Sequence, residues 1–77
     1  MFSSRLNFTR KSKGITAQQM ADKLNIGLRS YRNYESGDRE PSLSNLIRIA
    51  DILEVSTDYL LGRTDFPKSY ATPFSEV

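Results

Sequence analysis

The stretch GLRSYRNYESG, residues 27–37, decides how this 77-residue chain is read. Wound as a helix, it places Tyr31 and Tyr34 on one side and Leu28, Arg29, Arg32 and Asn33 on the other. The tyrosine side suits a core. The opposite side joins two guanidinium groups, an amide and one aliphatic side chain, which is more than a face needs merely to stay wet. Gly27 can serve as N-cap and Gly37 as the left-handed residue after a helix, so the helix is expected over Leu28 to Glu35.

The flanks read as further short helices. Upstream, Thr16 with Gln19 three residues on is a capping box, and Ile15 with Met20 has the spacing of a hydrophobic staple. The helix that follows runs to about Leu24 and turns Met20, Ala21 and Leu24 inward, with Ala21 small enough to admit a close neighbour. Three residues, Asn25-Ile26-Gly27, separate it from the next, and Ile26 with Tyr31 repeats the staple. A first helix is expected over residues 3–13, carrying Phe2, Leu6 and the stem of Arg10 at i, i+4 spacing and closed by Lys13-Gly14. Downstream, the loop Asp38-Arg39-Glu40-Pro41 leads to Ser42. That serine starts a fourth helix whose Leu43, Leu46, Ile47, Ala50 and Leu53 form a broad apolar stripe. Ser56 caps a short fifth helix, with Val55 and Leu60 as a third staple pair, and Gly62 ends it. Residues 63–77, RTDFPKSYATPFSEV, hold two prolines and three aromatics in a polar run without period. The expected organisation is a domain over 1–62 and a C-terminal tail or linker over 63–77. Phe66, Tyr70 and Phe74 leave open a tail that folds back on the domain or meets a second subunit.

Composition excludes several functions. A chain this short makes one domain at most, with a small core. It has no cysteine and no histidine, so disulfides, thiolate zinc sites and the commonest general base are all missing. Its nine acids are scattered, and no cofactor or metal site is expected. No paired acids, nucleophile–base pair or phosphate-cradling loop points to an enzyme. No apolar run approaches the roughly 20 residues of a membrane span, and no secretory signal opens the chain; a cytoplasmic location is expected. The net charge is +2, but residues 1–35 hold seven basic side chains against two acidic, and the remainder four against seven. That asymmetry suits a polyanionic partner for the first half.

Two short helices joined by a three-residue break, the second polar outside, make a helix-turn-helix. The first lies across a sugar–phosphate backbone and the second enters the major groove. Arginine can grip guanine O6 and N7, asparagine adenine N6 and N7, and leucine a thymine methyl. From residue 16 to 62, TAQQMADKLNIGLRSYRNYESGDREPSLSNLIRIADILEVSTDYLLG, the chain resembles the lambda-repressor-like helix-turn-helix family of the Cro/CI or XRE type. The likeness is carried by Met20-Ala21, Tyr34-Glu35-Ser36-Gly37, Pro41-Ser42, Leu46 with Ile49-Ala50, and Val55-Ser56 leading to Asp58-Tyr59-Leu60-Leu61-Gly62. It implies an all-α, compact five-helix domain that binds double-stranded DNA as a homodimer on a palindrome and regulates transcription, here as a prophage or mobile-element repressor.

By the same resemblance, base reading falls on Leu28, Arg29 and Asn33, with Arg32 beside them. Backbone contacts fall on Ala17, Ser36, Arg39 and the N–H groups of Ser42 and Leu43, where a helix N-terminus meets phosphate. Ala17 stands where many members carry glutamine, and its neighbour Gln18 is the substitute. Arg10 is expected to pair with Glu35 between the first and third helices, chiefly as structure and secondarily as a phosphate contact. A second departure is Thr9, at a position of the first helix that is usually apolar; Phe8 beside it sits off the core stripe. The rival reading is a protein-interaction module on the same fold, of antitoxin or anti-repressor type.

Overall fold

The computed structural model of the protein describes residues 1–68. Five helices follow one another: α1 (Phe2–Ser12), α2 (Ala17–Leu24), α3 (Leu28–Ser36), α4 (Leu43–Leu53) and α5 (Thr57–Leu60), with no strand among the described residues. This is the expected all-α, five-helix architecture. Relative to the expected limits, α1 sits one residue earlier and α3 runs one residue longer.

The junctions form where side chains compete for the free ends of the helices. The Thr16 hydroxyl accepts from the Gln19 N–H at 3.0 Å, and Gln19 Oε1 accepts from the Thr16 N–H at 2.8 Å, so the capping box is closed both ways. Asn25, left-handed at φ 58°, ends α2 and turns the chain into Gly27, the N-cap of α3. Gly37 ends α3 at φ 88°, its N–H bonded to the carbonyl of Asn33. The hydroxyls of Ser42 and Ser56 accept from the N–H groups of Asn45 and Tyr59 and start α4 and α5.

α3 packs against both α1 and α2, α4 against α2 and α5, and α5 against α1. Leu6, Met20, Ala21, Leu24, Tyr31, Ile49, Leu53 and Leu60 form the centre of the core, with Tyr34 and Ala50 at its margin. Tyr31 and Tyr34 meet edge to face with ring centroids 6.2 Å apart. Helix α4 departs from expectation. Its inward residues are Ile49, Ala50 and Leu53, while Leu43 and Ile47 are exposed and Leu46 is half-buried. The helix is apolar around more than half its circumference, so the periodicity defines a stripe wider than the core and not its centre. In α1, Thr9 lies in the core and Phe8 is 64% exposed. Nothing accepts from or donates to the buried Thr9 Oγ1 among the described residues.

The start of the expected tail carries contacts of its own. Arg5 Nη1 donates to the carbonyls of Tyr59 at 3.2 Å and Thr64 at 3.1 Å, and its guanidinium lies over the Tyr59 ring, 4.4 Å from the centroid. The Ser56 N–H donates to the Pro67 carbonyl at 2.7 Å. Thus residues 63–68 turn back along α5 towards α1. Tyr70 and Phe74 lie outside the described residues.

Candidate nucleic-acid interface

The site is built on α3, and what fixes α3 is a half-buried carboxylate. Glu35 Oε2 accepts from Arg10 Nε at 2.5 Å and from the Tyr31 hydroxyl, while Oε1 accepts from Asn7 Nδ2 at 2.8 Å and Arg10 Nη2 at 3.1 Å. Arg10 Nη1 donates to the carbonyl of Ile15 at 2.8 Å, so one guanidinium ties α1, the turn before α2, and α3 together. The two charged side chains are 11% and 12% exposed. Burial opposes ionisation of Glu35, but the hydrogen bonds from Arg10, Tyr31 and Asn7 outweigh it and hold the carboxyl below its ordinary value. The bond to Glu35 raises Arg10, and burial together with that same carboxylate pushes the Tyr31 hydroxyl well above its usual range. The sequence pointed to the Arg10–Glu35 pair. It did not point to Asn7 or to the Tyr31 hydroxyl, whose i, i+4 spacing from Glu35 was the available signal.

With Tyr31, Tyr34 and Glu35 turned inward, α3 shows solvent a strip of Leu28, Arg29, Arg32, Asn33 and Ser36. Arg29 and Arg32 are exposed and make no ion pair among the described residues. Leu28 and Asn33 are half-buried at the two margins. The single acid of α3 is the one engaged inside, so the strip carries positive charge alone. A helix with its side chains is about 10–12 Å across, and the B-DNA major groove is about 12 Å wide.

The flanks complete the surface. At the start of α2, Ala17 and Gln18 hold N–H groups with no acceptor among the described residues, and the Gln18 amide donates to Asp22 at 2.9 Å. At the start of α4, the Leu43 N–H is likewise open beside the Ser42 cap. Arg39 is exposed and pairs with neither Asp38 nor Glu40. The Ser36 hydroxyl donates to the Asn33 carbonyl and accepts from the Asp38 N–H, which shapes the turn after α3. Arg10 differs from the rest, because its guanidinium faces Glu35 and is almost enclosed.

A helix-turn-helix family model matches residues 9–60. The chain belongs to the Cro/CI-type helix-turn-helix family. Among curated members of that family it is similar to the HTH-type transcriptional regulator YqaE of Bacillus subtilis, 54% identical over 61 residues that cover 79% of this chain and 53% of YqaE. It is also similar to the cryptic phage CTXphi transcriptional repressor RstR of Vibrio cholerae, 51% identical over 59 residues that cover 77% of this chain and 53% of RstR. The chain spans about half the length of the curated relatives it matches. Among solved structures it resembles SinR, the master regulator for biofilm formation, crystallised in complex with DNA. There the TM-score is 0.72 at 27% identity, covering 79% of this chain and 98% of that one.

Proposed function

We propose that this helix-turn-helix chain is a sequence-specific DNA-binding transcriptional regulator, a prophage or mobile-element repressor that acts in the cytoplasm as a homodimer on a palindromic operator. The observation that carries the reading is the outward strip of α3. Two arginines with no ion pair among the described residues, an asparagine and a leucine sit on one helical face whose angle is held by the half-buried Glu35 hub. On this reading Leu28, Arg29, Arg32 and Asn33 read bases. Arg39, Ser36 and the open N–H groups at Ala17, Gln18, Ser42 and Leu43 hold phosphates on either side. Arg10 acts through Glu35 by fixing α3. The chain binds DNA without catalysing a reaction; repression follows from occupying a site that polymerase needs. The relatives support this, since RstR is a phage repressor and SinR a regulator bound to DNA.

The test is selection of bound duplexes from a random DNA pool, followed by titration of the selected duplex at two salt concentrations. A two-fold symmetric consensus whose affinity falls steeply with salt is expected. No enrichment of any sequence would overturn base reading and leave the strip to an acidic protein partner.

A further inference from the structure

Helix α1 is held along two sides. Asn7 and Arg10 reach α3 through Glu35. Arg5 reaches the other way, and nothing in the DNA-binding reading uses it. Because α1 starts without a side-chain cap, its first turn is fastened from outside. Arg5 Nη1 donates to the carbonyls of Tyr59 and Thr64 at 3.2 and 3.1 Å, the guanidinium covers the Tyr59 ring, and Nη2 lies 3.5 Å from Asp65. The Arg5 side chain is 19% exposed and that of Asp65 93%, so the carbonyls and the ring hold Arg5 more than the ion pair does.

Helix α5 is the element that needs this fastening. Its four residues make a single turn, too short to hold itself. Both of its ends are tied to what lies around it. At its start, the Ser56 N–H donates to the Pro67 carbonyl at 2.7 Å. At its end, the Tyr59 carbonyl has no partner within the helix and accepts from the Gly62 N–H and from Arg5. Residues 63–68 thus form a strap that closes along α5 and is locked to the first turn of α1 by one guanidinium. We infer that Arg5 is a positioning residue for DNA reading. By seating the strap it fixes one side of α1, and α1, through Asn7 and Arg10, fixes Glu35 and the angle of α3. Arg5 itself touches neither base nor phosphate. This inference rests on the DNA-binding reading above and extends the reading unit past Gly62 to include the strap.

The test replaces Arg5 by methionine in the full 77-residue chain, which keeps an apolar stem beside Tyr59 and removes every donor. Affinity is measured for the selected duplex and for an unselected duplex of equal length, at a temperature where circular dichroism shows both proteins folded. A misplaced α3 loses base contacts, whereas unselected DNA is held by charge. The expected result is a loss of about tenfold on the selected duplex, the worth of one base contact, with little change on the unselected one. Arg5→Lys, which restores a charged donor, is expected to recover part of that loss. Equal losses on both duplexes would make Arg5 a phosphate contact or a general stabiliser, and no loss on either would leave it without influence on α3; each overturns the proposal. If Arg5→Met does not fold, Arg5→Lys carries the same comparison, with a smaller loss confined to the selected duplex expected. If the wild type prefers no duplex, the DNA-binding reading has failed instead, and the coupling is judged without DNA. Backbone amide resonances of Leu28 to Ser36 that move in the Arg5 variant would then support it. Resonances that stay fixed would overturn it.

Discussion

Glu35 is the residue on which the proposed interface depends most. Its pKa in the folded chain lies below the ordinary value of 4.5. A depressed carboxylate contributes stability that is present above its unfolded pKa and lost as pH falls through the folded one. Thermal melts should therefore show stability falling below about pH 4.5, with a smaller acid loss in Glu35→Gln. At neutral pH that variant leaves Arg10 enclosed without its counter-charge and should lose about 3 kcal/mol; a melting temperature equal to wild type would contradict the hub. Thr9 predicts the opposite sign. Its hydroxyl is buried and has no partner among the described residues, so Thr9→Val should stabilise by about 1 kcal/mol in a denaturant titration. Some of this was legible in the sequence. Thr9 was visible as a polar residue at an apolar position, and Arg10 with Glu35 as a pair. Arg5 was not, because two of its partners are backbone carbonyls 54 and 59 residues away, which leave no mark in the residue type, and its side-chain partners Tyr59 and Asp65 are as distant along the chain.

The helix ends were the most readable elements, because caps use local chemistry. Thr16 with Gln19, Ser42, Ser56 and Gly37 all stand where their side chains or backbone freedom required. Thr16→Ala should remove half of the capping box and cost about 1 kcal/mol in chemical unfolding. At Gly37 a Cβ would meet Ser3 Oγ at 3.5 Å, an ordinary contact, so the penalty of Gly37→Ala comes from φ 88°. That penalty is about 1–2 kcal/mol; an unchanged midpoint would show that the turn after α3 relaxes. What local pattern could not show was the rotation of α4. Leu43, Leu46, Ile47, Ile49, Ala50, Ile52 and Leu53 cover most of a circumference, and only tertiary contact selects Ile49, Ala50 and Leu53. The apolar surplus left outside became the exposed patch at Leu43 and Ile47.

Over the whole molecule, the excess of basic charge in the first half divides into two uses. Arg5 and Arg10 are held within the structure, while Lys11, Lys13, Lys23, Arg29 and Arg32 stand exposed; of these, Arg29 and Arg32, with Arg39 beyond, lie along the proposed groove side and make no ion pair among the described residues. At about 0.9 per phosphate neutralised by a cationic side chain, Arg39 contributes about −1 to the log–log salt slope of each bound copy. Arg39→Ala should weaken every duplex alike and reduce that slope by about 1. A slope near zero would argue against electrostatic binding altogether. The family was legible from residues 16–62 because its signature lies in caps, turns and the Tyr34–Gly37 helix end, all of which are local. The exposed apolar patch at Leu43 and Ile47 was not, since it depends on which apolar residues the fold leaves uncovered. The most direct measurement is parallel selection from a random DNA pool by the wild type and by Arg29→Ala. Direct readout predicts two consensus sequences that differ at one base pair in each half-site, where the variant tolerates substitution at about 1–3 kcal/mol less penalty. Identical consensus sequences, with the variant merely weaker on all of them, would contradict base reading by α3.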